Sequence, residues 1–151
     1  MSPENAERIA AIERFKVMER QQKALLSASQ RDDVRAVENI LASGADVNYG
    51  NSVGQTALHI ACIWGNASAA DLLIEAGANV NAKNDLSEQT PVHMVASRVT
   101  NPANRLVLAK QLVAAGANLN AQDLAGDAPY QLLAEDEFPE LLEVLTPKGG
   151  W

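Results

Sequence analysis

At 151 residues, 47% hydrophobic but only 4% aromatic, the chain is one domain's worth of polypeptide with a core of small aliphatic side chains. Its net charge of −7 is uneven, since residues 1–35 hold seven Lys and Arg against six Asp and Glu while residues 36–151 hold five against thirteen. An acidic body argues against nucleic-acid binding through phosphate contacts, and the single cysteine, Cys62, excludes an internal disulfide.

Residues 3–23 read as a charged helix. Pro3 suits a first helical position after Ser2. The apolar residues Ile9, Ile12, Phe15, Val17 and Met18 form no single stripe, because Arg8 and Glu19 interrupt the side that carries Ile12 and Phe15. This helix is expected to cap one end of the domain, with partner binding or self-association as its other use. Its balanced acids and bases argue against a membrane-surface role.

Residues 24–48 read as two short helices without a loop in front. Ala24-Leu25-Leu26 and Ala28 belong to the first. Asp32 or Asp33 starts the second, which carries Val34, Val37, Ile40 and Leu41 and ends at Gly44. The stretch 46–78 then adds a turn-rich loop, a short helix, a tight turn and a second helix. Gly54 suits a loop tip with positive φ, Thr56 can cap the helix that follows, and Leu58, Ala61 and Cys62 fall at helical spacing. Gly65-Asn66 breaks that helix, Leu72 and Leu73 resume the pattern, and Gly77 closes it. Such a unit cannot bury its own apolar face.

Its neighbours are in the chain. Gly44-Ala45-Asp46-Val47-Asn48 recurs as Gly77-Ala78-Asn79-Val80-Asn81, a shift of 33, and as Gly116-Ala117-Asn118-Leu119-Asn120, a further shift of 39. Thr56-Ala57-Leu58-His59 is echoed by Thr90-Pro91-Val92-His93. Such periods mean stacked repeats. In the third unit, Ala82 to Gln89 is one residue longer than its counterpart and places Ser87-Glu88 where glycine is expected. Val99-Thr100-Asn101-Pro102-Ala103-Asn104 replaces the tight glycine turn, and neither change should break the stack. Gly126-Asp127-Ala128-Pro129-Tyr130-Gln131 is a worn copy of the Gly54-Gln55-Thr56-Ala57-Leu58-His59 region, and Pro139 opens a last helix with Leu141, Leu142, Val144 and Leu145.

These recurring motifs resemble the ankyrin repeat family over roughly residues 24–145. The resemblance implies an all-α repeat fold, an ankyrin-repeat solenoid of helix–turn–helix units joined by β-hairpin-like loops. The units are 24–48, 49–81, 82–120 and 121–145, after an N-terminal capping helix at 1–23 and before a tail at 146–151. The first and last units resemble terminal capping repeats. By the same resemblance His59 bonds Thr56 and the loop backbone, and His93 does so with Thr90. Asn48, Asn81 and Asn120 shape the loops, at positions that oxygenases hydroxylate in some members.

Chemistry has little support. His59 and Cys62 share one side of a helix, but no compact set of zinc ligands is visible, so no metal or cofactor is expected. No nucleophile elbow or phosphate-cradling loop occurs, and Glu135-Asp136-Glu137 reads as a solvated turn. A metal-dependent enzyme is the remote alternative; the expectation is a non-catalytic protein.

The resemblance implies protein recognition through loop tips and the exposed ends of the first helices. Those end pairs are Ser29 and Gln30, Ile63 and Trp64, Ser97 and Arg98, and Glu135 and Asp136. At the loop tips the candidates are Ser52, Val53, Asp85, Leu86, Asp123 and Leu124, with Tyr49 flanking. Ile63 and Trp64 are large and apolar where polar residues are common, and tryptophan is enriched in binding hot spots. The expected partner is a protein or peptide with an apolar anchor beside Lys or Arg, met by an acidic groove. The alternative is an inhibitor or immunity-type protein occluding a basic enzyme or toxin. No nucleic-acid or membrane partner is expected, and the isolated protein is expected to be monomeric. Residues 1–5 show no secretory signal and no run approaches about 18 apolar residues; with a single cysteine the expectation is a reducing compartment, the cytoplasm first with the nucleus left open.

Overall fold

A computed structural model describes residues 1–97, 101–133 and 138–148. Among them are seven α-helices and no strand: α1 (Pro3–Gln30), α2 (Val34–Ala42), α3 (Ala57–Trp64), α4 (Ala67–Glu75), α5 (Pro91–Ser97), α6 (Arg105–Ala114) and α7 (Pro139–Leu145). Short 3₁₀ turns at Pro102–Asn104 and Pro129–Leu132 precede α6 and stand in for the first helix of the last unit.

The helices pack in two layers. α1, α3, α5 and the Pro129–Leu132 turn stack side by side, and α2, α4, α6 and α7 stack behind them. The core lies between the layers, where Leu25, Leu58, Leu73, Val92, Val95, Leu108 and Leu112 are fully buried. Each buried leucine contributes about 1.5–3 kcal/mol. Alanines at 28, 57, 61, 69, 70 and 109 are also buried, and their small size lets neighbouring helices approach closely.

Local sequence sets each helix boundary. The Asp33 side chain accepts from the Ala36 N–H and caps α2. Thr56 and His59 cap α3 reciprocally: the threonine hydroxyl accepts from the His59 N–H and the imidazole accepts from the Thr56 N–H. α3 ends at Gly65 in the left-handed conformation.

Among the described residues, two that are not glycine also hold positive φ. Glu88, at φ 52°, takes the glycine position of the longer third loop. Asp32, at φ 52°, stands where Gly65 stands one unit later. Its carboxylate accepts from the Ala69 N–H at 3.0 Å and so caps α4 of the next unit. Asn66, the residue before α4, does not cap its own helix. Its amide donates back to the carbonyls of Ser29 and Gln30, both at 2.8 Å, satisfying the end of α1. Asn104 repeats this arrangement with the Gly65 carbonyl at 2.8 Å.

The N-terminal helix differs from the sequence expectation. No break separates residues 3–23 from the first repeat; α1 runs continuously to Gln30. Only Leu25, Ala28 and Ser29 of α1 are fully buried, and residues 3–18 are exposed throughout. This part extends beyond the stack and does not cover its end.

Candidate protein-binding surface

Three loops project from the ends of the first-layer helices, and one design builds all of them. In each, an Asn or Asp at the base bonds the backbone of its own loop. Asn51 Oδ1 accepts from the N–H groups of Val53 and Gln55, at 3.0 and 3.1 Å. Asn84 Oδ1 accepts from those of Ser87 and Gln89. Asp123 Oδ1 accepts from those of Ala125 and Asp127, at 3.0 and 2.9 Å. Backbone pairs close each loop, Asn51 N to Gln55 O, Asn84 N to Gln89 O and Asp123 N to Asp127 O. Adjacent loops are then tied together, since Asp85 N donates to Val53 O at 2.9 Å and Leu124 N donates to Ser87 O at 2.8 Å.

The histidines anchor the loops to the stack. His59 Nδ1 lies 2.9 Å from Thr56 Oγ1, and its Nε2 donates to the Gln89 carbonyl of the next loop at 2.9 Å. His93 repeats this with Thr90 and the Asp127 carbonyl at 2.8 and 2.9 Å. A carbonyl only accepts, so the proton sits on Nε2 in both rings. Burial holds both imidazoles below the ordinary histidine range, against the opposing pull of their backbone hydrogen bonds. With both ring nitrogens engaged, neither histidine presents a free lone pair to a metal. Burial pushes the Cys62 thiol up, so it stays protonated within the core.

Asparagines form a second tie at the opposite loop entry. Asn48 Oδ1 accepts from the Asn79 N–H at 2.7 Å, and Asn81 Oδ1 accepts from the Asn118 N–H at 2.7 Å. The projecting loops are therefore held at both ends of each unit.

On this frame, Trp64 ends α3 with 42% of its surface exposed, and Ile63 beside it is half-buried. Leu86 and Leu124, at the tips of successive loops, are 68% and 69% exposed. Tyr49 and Val53 are half-buried, and Ser52, Asp85 and Ser97 are exposed. Ser97 turns its hydroxyl back onto the His93 carbonyl at 2.8 Å. Arg98, Glu135 and Asp136 lie outside the described residues.

Two expectations need correction. Asp123 is not a surface ligand. It is buried, its Oδ1 holds the loop backbone, and its Oδ2 accepts from the Gln89 amide at 3.1 Å. Desolvation pushes its carboxyl up, but the hydrogen bonds from Asp127 N, the Gln89 side chain and Ala125 N outweigh it and hold the group below the usual carboxylate range. Ser29 is likewise fully buried, with its hydroxyl on the Leu25 carbonyl at 2.8 Å. Asp32 and Gly65 share a position in the repeat, which makes Gln30 and Arg31 the first-unit counterparts of Ile63 and Trp64. The Asp32-Asp33 pair, one repeat before Gly65-Asn66, carried that register in the sequence.

Arg105 is a further residue that motif reading passed over. Its guanidinium donates to the carbonyls of Val95, at 2.9 Å, and Ala96, and its carbon lies 4.9 Å from the Phe138 ring centre. It thus satisfies the end of α5 and joins the third unit to the last.

The family model for ankyrin repeats, in three copies, matches residues 25–123. The chain belongs to the ankyrin repeat family. Ankyrin repeats are generally protein–protein interaction modules. The chain is 32% identical to "Ankyrin repeat and SOCS box protein 6" of Mus musculus over 104 residues, covering 68% of this chain and 24% of that protein. It is 30% identical to "Mitochondrial disaggregase" of Bos taurus over 155 residues, covering 83% of this chain and 23% of that one. An ankyrin repeat-containing protein of Saccharomyces cerevisiae is 25% identical over 133 residues, covering 80% of this chain and 74% of its own length. The chain spans about a quarter of the length of the first two relatives. Among the described residues of this ankyrin repeat protein, no helix is long and apolar enough to cross a membrane.

Proposed function

We propose that the protein binds a partner protein or peptide, without catalysis, through the face formed by its loop tips and first-helix ends. Trp64 is the anchor beside Ile63 at the C-terminal end of α3, and Tyr49, Val53 and Leu86 supply apolar surface at the loop edge of the same face. The observation that carries this reading is Trp64 itself. A tryptophan that ends a rigid helix with 42% of its surface exposed is poorly placed for stability and well placed for a hot spot. The frame beneath it is fixed by buried hydrogen bonds, so little ordering cost attends binding. Asp85 and Glu88, both exposed on the adjacent loop, supply the acidic side of the face and favour Lys or Arg beside the partner's apolar anchor. Asp123 contributes to this face only by shaping its last loop.

The test is affinity capture from a lysate of the source organism, with mass spectrometry, for wild type, Trp64→Ala and Glu75→Ala. Glu75 is exposed at the end of α4 in the second layer, away from the proposed face. The expected result is one partner retained by Glu75→Ala and lost by Trp64→Ala, with both variants folded by circular dichroism. Its capture should also weaken as salt is raised. A partner held equally by Trp64→Ala overturns the reading.

A further inference from the structure

The most conspicuous feature that recognition by the loops leaves unused is the first half of α1. Residues 3–20 extend for about 27 Å at the α-helical rise. Residues 3–18 are exposed, with Ile9, Ile12, Phe15 and Met18 among the most exposed apolar side chains of the protein. The Lys16–Glu13 and Lys23–Glu19 pairs lie at 3.7 and 3.3 Å, but exposed pairs of this kind add only a few tenths of a kcal/mol. A helix of this length without tertiary burial is marginal in water.

We infer that two copies of the chain pair through this segment as antiparallel helices. Asn5, Arg8, Ile12, Phe15, Glu19 and Gln22 are spaced alternately by three and four residues, the spacing of a helix–helix seam. As a stripe on one helix it is flawed, because Arg8 and Glu19 flank the apolar pair. Run antiparallel against itself, the same stripe becomes self-complementary. Ile12 meets Phe15 of the second copy, Arg8 meets its Glu19, and Asn5 meets its Gln22. Each match occurs twice about the dyad, as an isologous interface requires.

The wider charge distribution selects the same direction. The first half of the segment carries Glu4, Glu7 and Glu13 against Arg8. The second half carries Arg14, Lys16, Arg20 and Lys23 against Glu19. Antiparallel pairing lays the acidic half on the basic half, whereas parallel pairing would set like on like. The sequence reading expected a monomer in isolation but kept self-association as this helix's other use, and the structure leaves residues 3–18 exposed. The consequence is a bivalent protein: two recognition faces held on one rigid rod raise avidity for a repeated or clustered partner.

Sedimentation equilibrium of the full chain across a concentration series tests the inference, using wild type, Arg8→Glu, Glu19→Arg and the double variant. Either single reversal faces like charges at both outer layers and should weaken dimerisation roughly tenfold or more. The double variant restores opposite charges and should recover the wild-type dimer. Arg8 is exposed and Glu19 half-buried, both in the part of α1 clear of the core, and the thermal melt of the repeats should be unchanged. A wild type that stays monomeric at every concentration overturns the proposal. So does a double variant no better than the singles, which would mean that residues 8 and 19 do not face each other.

Discussion

His59 Nε2 donates to the main-chain carbonyl of Gln89 at 2.9 Å, across 30 residues of sequence, while Nδ1 of the same ring accepts from the Thr56 N–H. One side chain thus caps its own helix and hangs the following loop. Replacing it by alanine leaves a buried carbonyl and a buried N–H without partners, at about 1–3 kcal/mol each, and opens a cavity as well. His59→Ala should lower the unfolding free energy by about 3 kcal/mol or more in urea titration, with His93→Ala following the same pattern. A loss under about 1 kcal/mol would mean that water replaces the ring and that the tie has little energetic weight.

The same rings make stability depend on pH near neutrality. Both imidazoles are held below their ordinary range, so the unfolded chain binds protons more readily than the folded one. Their contribution is complete above the unfolded value of about 6.5 and is lost progressively as pH falls through it toward the lower folded values. The limiting slope is about 1.4 kcal/mol per pH unit for each histidine. Urea midpoints should be flat from about pH 8 to pH 7 and drop between about pH 6.5 and pH 5. A flat profile over that lower window would show that the rings titrate normally in the fold.

Asp123 offers a separate prediction, because the equivalent loops use Asn51 and Asn84 at the same place. Asp123→Asn keeps an oxygen for the Ala125 and Asp127 N–H groups. Its new amide can face Gln89 Oε1, which is buried without a partner in the structure, once the Gln89 amide turns over. Asp123→Asn should therefore cost less than about 1 kcal/mol at pH 7, and Asp123→Ala about 2–3 kcal/mol. A lowered carboxyl stabilises the fold above its unfolded value near 3.9 and loses that contribution as pH falls through the folded one. The asparagine variant should lack this part of acid unfolding. Equal losses for the two variants would show that the charge, and not the loop bonding, is what matters.

The repeat pattern made most of the architecture legible, because Thr56, His59, Gly65 and Gly77 act over a few residues and mark their positions in the sequence itself. Residues whose roles lie across the stack were not legible. Asn66 reads only as part of the break after α3, but its amide bonds the end of α1 some 36 residues earlier. Asp123 reads as an exposed acid at a loop tip, and only the loop closed around it shows that it faces inward. Arg105 belongs to no motif, since the carbonyls it satisfies come into reach only through the inserted segment. The candidate anchor Trp64 was found by its chemical type in a known register, and the absence of burial was what only the structure could add. The continuity of α1 was missed for a different reason. Helical propensity runs unbroken from Pro3 to Gln30, and the change from uncovered helix to buried helix near Gln21 leaves no mark on the sequence.

The inserted third-unit segment rests on the preceding turn, and glycine substitution can measure how closely. Gly65 and Gly77 both hold positive φ, at 72° and 92°, so alanine at either carries a strain of about 1–2 kcal/mol. Their surroundings differ. A Cβ at Gly77 would meet nothing within 4 Å, whereas one at Gly65 would lie 2.8 Å from both the Cβ and the carbonyl oxygen of Asn101. The second clash involves main chain that a side-chain rotation cannot relieve, and Asn104 holds that segment down through its bond to the Gly65 carbonyl. Gly65→Ala should thus cost more than Gly77→Ala by about 1–3 kcal/mol, the usual penalty of overpacking. Hydrogen exchange should quicken in the 101–104 turn of the first variant alone. Equal destabilisation of the two would mean that the insertion yields to the added methyl group and carries no packing load against the second repeat.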